Sequence, residues 1–156
     1  MAFDTERLLR LWTRPLPADD AAAAAAFREL YTDPVEVNGT PLRAADLVDR
    51  ARAMQRALED PEREVLAVVD AGTSVAVAFR LAGRQVGELG TPAGPLPATG
   101  RRIDLRVVDL LTLTDGRISA IWMVADWLGA LAGADAVRLG PGTPAQRGGS
   151  IVPSAR

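Results

Sequence analysis

An Asp-Gly pair set between two long apolar, β-branched runs constrains this chain more than any other feature. The stretch 101–131 reads RRIDLRVVDLLTLTDGRISAIWMVADWLGAL. A two-residue type I′ turn needs positive φ at both central positions, and Asp-Gly suits it well. With Asp115 and Gly116 in those positions, pairing runs outward. Thr114 faces Arg117, Leu113 faces Ile118, Leu111 faces Ala120, Asp109 faces Trp122 and Leu105 faces Asp126. Side chains alternate along a strand. One face is therefore expected to carry Leu105, Val107, Asp109, Leu111 and Leu113 with Ile118, Ala120, Trp122, Val124 and Asp126. That face is apolar except for two carboxylates. The other, with Val108, Leu110, Ile121 and Met123, is also apolar, so the hairpin needs a covering on each side. Helical spacing is present too (Ile118, Ile121, Trp122, Ala125, Leu128), and periodicity alone leaves both readings open. The turn and the β-branched density before it favour a strand ending near Asp126, followed by a short helix.

The segments before the hairpin divide into helices first and strands second. Asp4 is positioned to cap a helix over 4–13, with Leu8, Leu9, Leu11 and Trp12 as its apolar stripe, and Pro15 and Pro17 end it. Asp19 or Asp20 caps a second helix running through the alanines 21–26 to Tyr31, closed by Asp33-Pro34. Val35-Glu36-Val37 reads as a short extended piece with a turn at Asn38-Gly39. Thr40-Pro41 then caps a third helix, about 41–59. From Glu62 the period becomes two. Strands are expected over 62–69 and 74–82, and a further one over 84–89, before a Gly/Pro-rich loop at 90–100. Helices followed by antiparallel strands indicate an α+β fold with helices on one side of a sheet. The length suits one domain, 1–139, and the segment 140–156 lacks the apolar content to pack, so it reads as a flexible tail.

What the chain lacks narrows its chemistry. It has no Cys, no His and no Lys; all 18 basic residues are Arg. Disulfides, Cys/His metal sites, Ser-His-Asp triads, Schiff bases and the P-loop lysine are excluded. Catalysis here has to use Asp, Glu, Tyr, Arg, hydroxyls or backbone dipoles. A net charge of −2 gives no electrostatic case for nucleic acid or an anionic membrane, and no apolar run is long enough to span a bilayer. The expectation is a soluble, cytoplasmic protein with no nucleic-acid or membrane partner. The spacing Gly83/Gly87/Gly90 does not match a dinucleotide fingerprint.

Three short motifs, in order, resemble the SnoaL-like polyketide cyclases of the NTF2-like superfamily. They are Pro97-Ala98-Thr99-Gly100, Asp115-Gly116-Arg117-Ile118 and Trp122-Met123-Val124-Ala125-Asp126, preceded by a Gly-x-x-Gly segment at Gly87-Glu88-Leu89-Gly90. The resemblance covers about residues 5–135. It implies a cone of N-terminal helices packed on a strongly curved, mostly antiparallel sheet around an apolar pocket. It also implies cofactor-free ring closure, typically an intramolecular aldol condensation, of a hydrophobic polyketide-like small molecule. The position of Asp126 is the family's acid/base, and homodimers or homotetramers form through the outer sheet face. The chain departs at four places: Ala120 stands where a Glu is common, His is missing near Thr112 and near Gln85, and the loop 90–100 is longer, with Thr91–Leu96 as the apparent insertion.

The candidate residues follow. Asp126 is either the acid/base, its pKa raised by an apolar surrounding, or the N-cap of the helix that starts at Trp127. Asp109, on the same expected face, is a second acid/base candidate, or else a residue at the pocket mouth or an Arg partner. Trp122 is expected to wall the pocket. Trp12, Tyr31, Met54 and Phe79 are candidates to line it or to pack in the core, with Gln85 and Thr112 at the family's His positions. Arg80 and Arg84, which flank the bend between strands, are expected in solvent, the alternative being an inward Arg that holds a substrate carbonyl or enolate oxygen. The functions weighed are an aldol-type cyclase, an epoxide-opening cyclase or hydrolase, and a non-catalytic small-molecule-binding protein.

Overall fold

The computed structural model describes residues 2–140; the expected tail from 141 onward lies outside them. Four helices, a six-stranded sheet and a separate two-stranded hairpin make up the regular structure of the described residues. Helices α1 (Thr5–Thr13) and α2 (Asp20–Arg28) start where their caps predict. The Asp4 carboxylate accepts from the Arg7 amide at 2.9 Å, and Asp19 from the Ala22 amide at 2.8 Å.

The second helix ends earlier than expected. Tyr31 opens strand β1 (Tyr31–Val37) instead of closing α2, because Ile118 lies opposite it and gives its backbone a sheet partner. Thr40 and Pro41 do not cap a helix. They form β2 (Thr40–Leu42), a hairpin arm on β1, and α3 (Ala44–Ala57) starts after it, with Asp46 accepting from the Arg43 amide.

Two long strands follow, β3 (Leu58–Asp70) and β4 (Ser74–Gln85). The loop expected at 90–100 contains a small hairpin, β5 (Leu89–Thr91) and β6 (Gly94–Leu96). The Asp115-Gly116 hairpin forms as expected from β7 (Arg102–Thr114) and β8 (Arg117–Ala125), with φ of 49° and 73° at the turn. Helix α4 (Trp127–Gly133) comes directly after. The sheet order is β2-β1-β8-β7-β4-β3, antiparallel throughout except for β1 beside β8.

One residue changes which side chains reach the interior. Leu113 pairs with Ile118 as expected, but Thr112 then pairs with Ala120, leaving Ser119 as an extra residue on β8. The Ser119 hydroxyl bonds the Thr112 carbonyl at 3.2 Å and lies 2.8 Å from the Thr114 hydroxyl, which fixes the bulge. Beyond it the register is shifted by one: Asp109 faces Met123, not Trp122, and Val107 faces Ala125. A one-residue slip exchanges the two faces of a strand. Ile121, Met123 and Ala125 therefore turn inward, and Trp122 and Val124 turn outward, 58% and 73% exposed.

The inner face of the sheet packs against two buried clusters. One joins α1, α2 and α3 to β1 and the near ends of β4, β7 and β8, around Phe27, Tyr31, Leu47, Val75, Leu111 and Ile118. The other sits under the far end, around Leu58, Leu81, Ile103, Leu105 and Ala130. Phe79 packs against both. Gly87 runs so close to the end of α3 that a Cβ there would lie 2.6 Å from the Arg56 carbonyl oxygen. That contact accounts for a glycine at this point in the loop. No helix among the described residues is long and apolar enough to cross a membrane.

Candidate active site

Where the two clusters fail to meet, a cavity of about 160 Å³ remains, close to the volume a single aromatic ring fills. It is walled from α1 by Leu8, Leu9, Trp12 and Thr13, from α3 by Met54, and from the sheet by side chains of β1, β3, β4, β7 and β8; Trp127 of α4 lines it as well. A second, shallower groove of about 270 Å³ lies between α1 and α2, lined by Arg7, Arg10, Arg14 and Glu29 among others. It is an open surface with no buried polar group in its lining, so chemistry belongs to the interior cavity.

Asp109 is the acidic group inside. It is 8% exposed, and its Oδ1 is buried without a hydrogen-bond partner among the described residues. Burial disfavours the charged carboxylate and pushes its pKa up to about 7. The alternation of β7 explains its position. Leu105, Val107, Asp109 and Leu111 form one buried row, and Asp109 is the polar member of an otherwise apolar series.

Tyr31 stands near it. Its ring is buried at the first position of β1, stacked at a tilt against Phe27 with centroids 5.7 Å apart; Phe27 in turn meets Trp12 edge-on at 5.5 Å. The Trp12 indole N–H donates to the Tyr31 hydroxyl oxygen at 2.8 Å. The Tyr31 O–H donates to no acceptor among the described residues, so its proton is free to meet a ligand. Burial raises its pKa first of all, the Trp12 hydrogen bond lowers it, and the Asp109 charge raises it further. Tyr31 keeps its proton at any working pH.

Of the residues singled out from sequence, Asp109, Trp12, Tyr31, Met54 and Phe79 meet in this cavity. Four others do not. Trp122 is carried to the outer face by the Ser119 bulge and walls nothing inside. Asp126 lies on the surface after the end of β8, and its Oδ1 accepts from the Gly129 amide at 2.9 Å as the N-cap of α4. A Cβ on residue 129 would come within 2.4 Å of that carboxylate, which shows how tightly it folds over the helix start. Of the two readings of Asp126, the geometry is that of the cap. Thr112 is exposed on the outer face, paired with Ser74 and Ala120.

Gln85 is fully buried but serves the loop 87–99. Its Nε2 donates to the carbonyls of Gly87, Leu96 and Pro97, and its Oε1 accepts from the Thr99 amide and hydroxyl. This buried amide is a hub for the Pro97–Gly100 motif. Arg80 and Arg84 pair outward, with Asp104 and Glu59.

Among the other lining residues, two that were not candidates from the sequence bear on the site. Trp127 takes the place expected of Trp122. Arg63 enters the cavity from β3. Its signal was its phase: in EREVLAVV it alternates with Glu62 and Glu64 and shares a face with Val65.

Comparison with known proteins agrees with this architecture. Residues 7–133 match the family model described as SnoaL-like polyketide cyclase. Among solved structures, TsrD from Streptomyces laurentii superposes with a TM-score of 0.65 at 21% identity, covering 87% of this chain and all of the other. A SnoaL-like polyketide cyclase from Agrobacterium tumefaciens gives 0.63 at 19% identity, over 85% of this chain and 97% of its own. IdmH from Streptomyces antibioticus gives 0.61 at 20% identity, over 84% and 97%. These likenesses show a shared fold. No curated protein matches the chain in sequence.

Proposed function

This chain belongs to the SnoaL-like polyketide cyclase family, and we propose from that premise that its cavity closes a ring in a small polyketide-like substrate by an intramolecular aldol reaction without a cofactor. The observation that carries the reading is Asp109, a carboxyl group held in an apolar cavity with an unpartnered oxygen and a pKa near 7. Near neutrality such a group is present in both protonation states, the condition for a general acid/base. The acid/base role expected at Asp126 is assigned to Asp109 in this reading.

The steps balance without an outside reactant. The Asp109 carboxylate takes a proton from a carbon next to a carbonyl. The resulting enolate carbon attacks a second carbonyl carbon of the same molecule, and its C=O electron pair becomes an alkoxide. The Tyr31 O–H, itself bonded by Trp12, stabilises the oxygen on which charge develops. The proton held on Asp109 then returns to that oxygen. The cavity contributes by holding the two reacting carbons together, and its size suits one ring closed at a time.

The same carboxyl group supports a second reading. Its protonated form could donate to an epoxide oxygen while an internal hydroxyl or water attacks, and a pKa near 7 keeps that form populated at neutrality. We also propose that the protein is a homo-oligomer in which a second copy covers the outer sheet face.

A linear diketone able to close a six-membered ring is the test substrate. Wild type is expected to yield the cyclic product, Asp109→Asn to lose that activity, and Asp126→Asn to keep it. Equal turnover by wild type and Asp109→Asn would remove the proposal.

A further inference from the structure

We propose that the substrate of this cavity carries a carboxylate remote from its reacting carbon, and that Arg63 holds that carboxylate. The inference starts from strand β3. Glu62 and Glu64 flank Arg63 and point to the outer face, where Glu62 pairs with Arg102 at 2.9 Å and Glu64 lies 3.7 Å from Arg80. Alternation sends Arg63 the other way, into the cavity. There its Nη1 is buried with no hydrogen-bond partner among the described residues. A buried guanidinium N–H without an acceptor costs free energy, and an arginine fork matches a carboxylate in geometry and charge.

Asp109 does not meet this need. Arg63 pairs with Leu81, Leu81 pairs with Leu105, and Asp109 lies four residues further along β7. That separation is about 13 Å along an extended strand. The two charged groups of one cavity are therefore kept apart, each with an unused polar atom. Apolar walls lie between them: Phe79, Leu81, Leu105 and Val107. A ligand that satisfies both ends has an anionic head, an apolar middle and an acidic C–H at the far end.

Charges of both signs reach Arg63 from α1 and its C-cap. Exposed Glu6 acts on it most strongly among them, and Arg14 and Arg10 act as like charges, so the case for an anion rests on the unpartnered Nη1 and not on the surrounding charge. Burial is the largest influence and lowers the Arg63 pKa, yet arginine stays charged at any working pH.

The inference deepens the proposed reaction and rests on it for the role of Asp109, but the anchoring can be read by binding alone. The probes are phenylbutanoate and its methyl ester, titrated calorimetrically into the full-length protein at low ionic strength. Wild type is expected to bind the acid about tenfold or more tighter than the ester. Arg63→Met should bind the two alike while keeping its affinity for the ester, and Arg63→Lys should keep part of the preference. Asp109→Asn should keep the whole preference, so loss of turnover in that variant and loss of anchoring are separate results. Equal binding of acid and ester by wild type overturns the inference, as does an acid preference that survives in Arg63→Met. Should Arg63→Met not fold, Arg63→Gln replaces it. An acid preference that shrinks in that variant supports the anchor, and one that is undiminished overturns it.

Discussion

The Trp12 indole N–H donates to the Tyr31 hydroxyl across 2.8 Å, which fixes the Tyr31 oxygen, and no group among the described residues accepts the Tyr31 proton. The two residues come from α1 and β1, and Phe27 of α2 packs against both rings. A helical layer thus positions a donor that the sheet supplies. Tyr31→Phe keeps the ring and removes the donor. Turnover is expected to fall by roughly 10²–10³, the loss typical of one oxyanion-holding donor. Trp12→Phe keeps the donor but loosens it, so a smaller drop in kcat is expected. Steady-state kinetics on a cyclising diketone check both, and a Tyr31→Phe variant as fast as wild type would exclude the hydroxyl from the reaction.

Asp109 makes stability depend on pH in a known direction. Its folded pKa of about 7 lies above its unfolded value, so the folded state binds the extra proton. Folding stability contributed by the protonated form is present below about pH 4 and is lost as pH rises through 7. Asp109→Asn removes the titration. The variant is expected to be more stable than wild type by roughly 2–4 kcal/mol at pH 8.5, with the gap closing towards pH 4.5. Denaturant melts across that range measure it. A constant difference between the two proteins would show that Asp109 is not held in the apolar surroundings described.

The two acidic candidates separate cleanly in a paired experiment. Asp109→Asn should lower kcat by roughly 10²–10⁴ with the fold intact. Asp126→Ala should leave kcat within about twofold and destabilise by about 0.5–2 kcal/mol, the cost of a lost helix cap. Kinetics and thermal melts on both variants decide this. Lost turnover in Asp126→Ala with an unchanged melt would restore the family position as the acid/base.

The sequence carried most of the frame and part of the site, and each miss has a physical cause. Asp4 and Asp19 announced their helices because a cap is a local hydrogen bond. The Asp115-Gly116 turn was legible because few residues accept its backbone. The bulge at Ser119 was not, since it depends on hydroxyl contacts to Thr112 and Thr114 that form only after the strands pair. That one insertion moved Trp122 outward and Asp126 out of line with Asp109. Tyr31 read as the end of a helix because the strand beside it, Ile118, lies 87 positions later in the chain. The same holds for Arg63, whose inward phase is visible in the sequence but whose lack of a partner is a property of three dimensions.

Gly87 and Gly90 look alike in the Gly-x-x-Gly segment and should behave differently. A Cβ at Gly87 would press on the Arg56 carbonyl, a backbone atom that ends a helix and has little freedom to move. Gly87→Ala is expected to destabilise by about 1–3 kcal/mol. At Gly90 nothing lies within 4 Å of such an atom, so Gly90→Ala should stay within about 0.5 kcal/mol of wild type. Chemical denaturation compares them, and equal effects would contradict the close approach of the loop to α3.

The outer sheet face gives the last prediction. Register aligns Val69, Ala76, Leu110 and Trp122 in one row across four strands, and Ala67, Ala78, Val108 and Val124 in the next. Val69, Leu110, Val108, Trp122 and Val124 are all large and exposed, and charged pairs such as Arg80 with Asp104 border them. A contiguous apolar surface rimmed by ion pairs is what an association face requires. The bulge that withdrew Trp122 from the cavity therefore adds an aromatic side chain to this face, at the β8 end of its row. A wild-type homodimer or homotetramer is expected by light scattering at micromolar concentration. Trp122→Glu combined with Val124→Arg should yield monomers and leave the inward-facing Ile121, Met123 and Ala125 untouched. A monomeric wild type, or a double variant that still associates, would place any interface elsewhere.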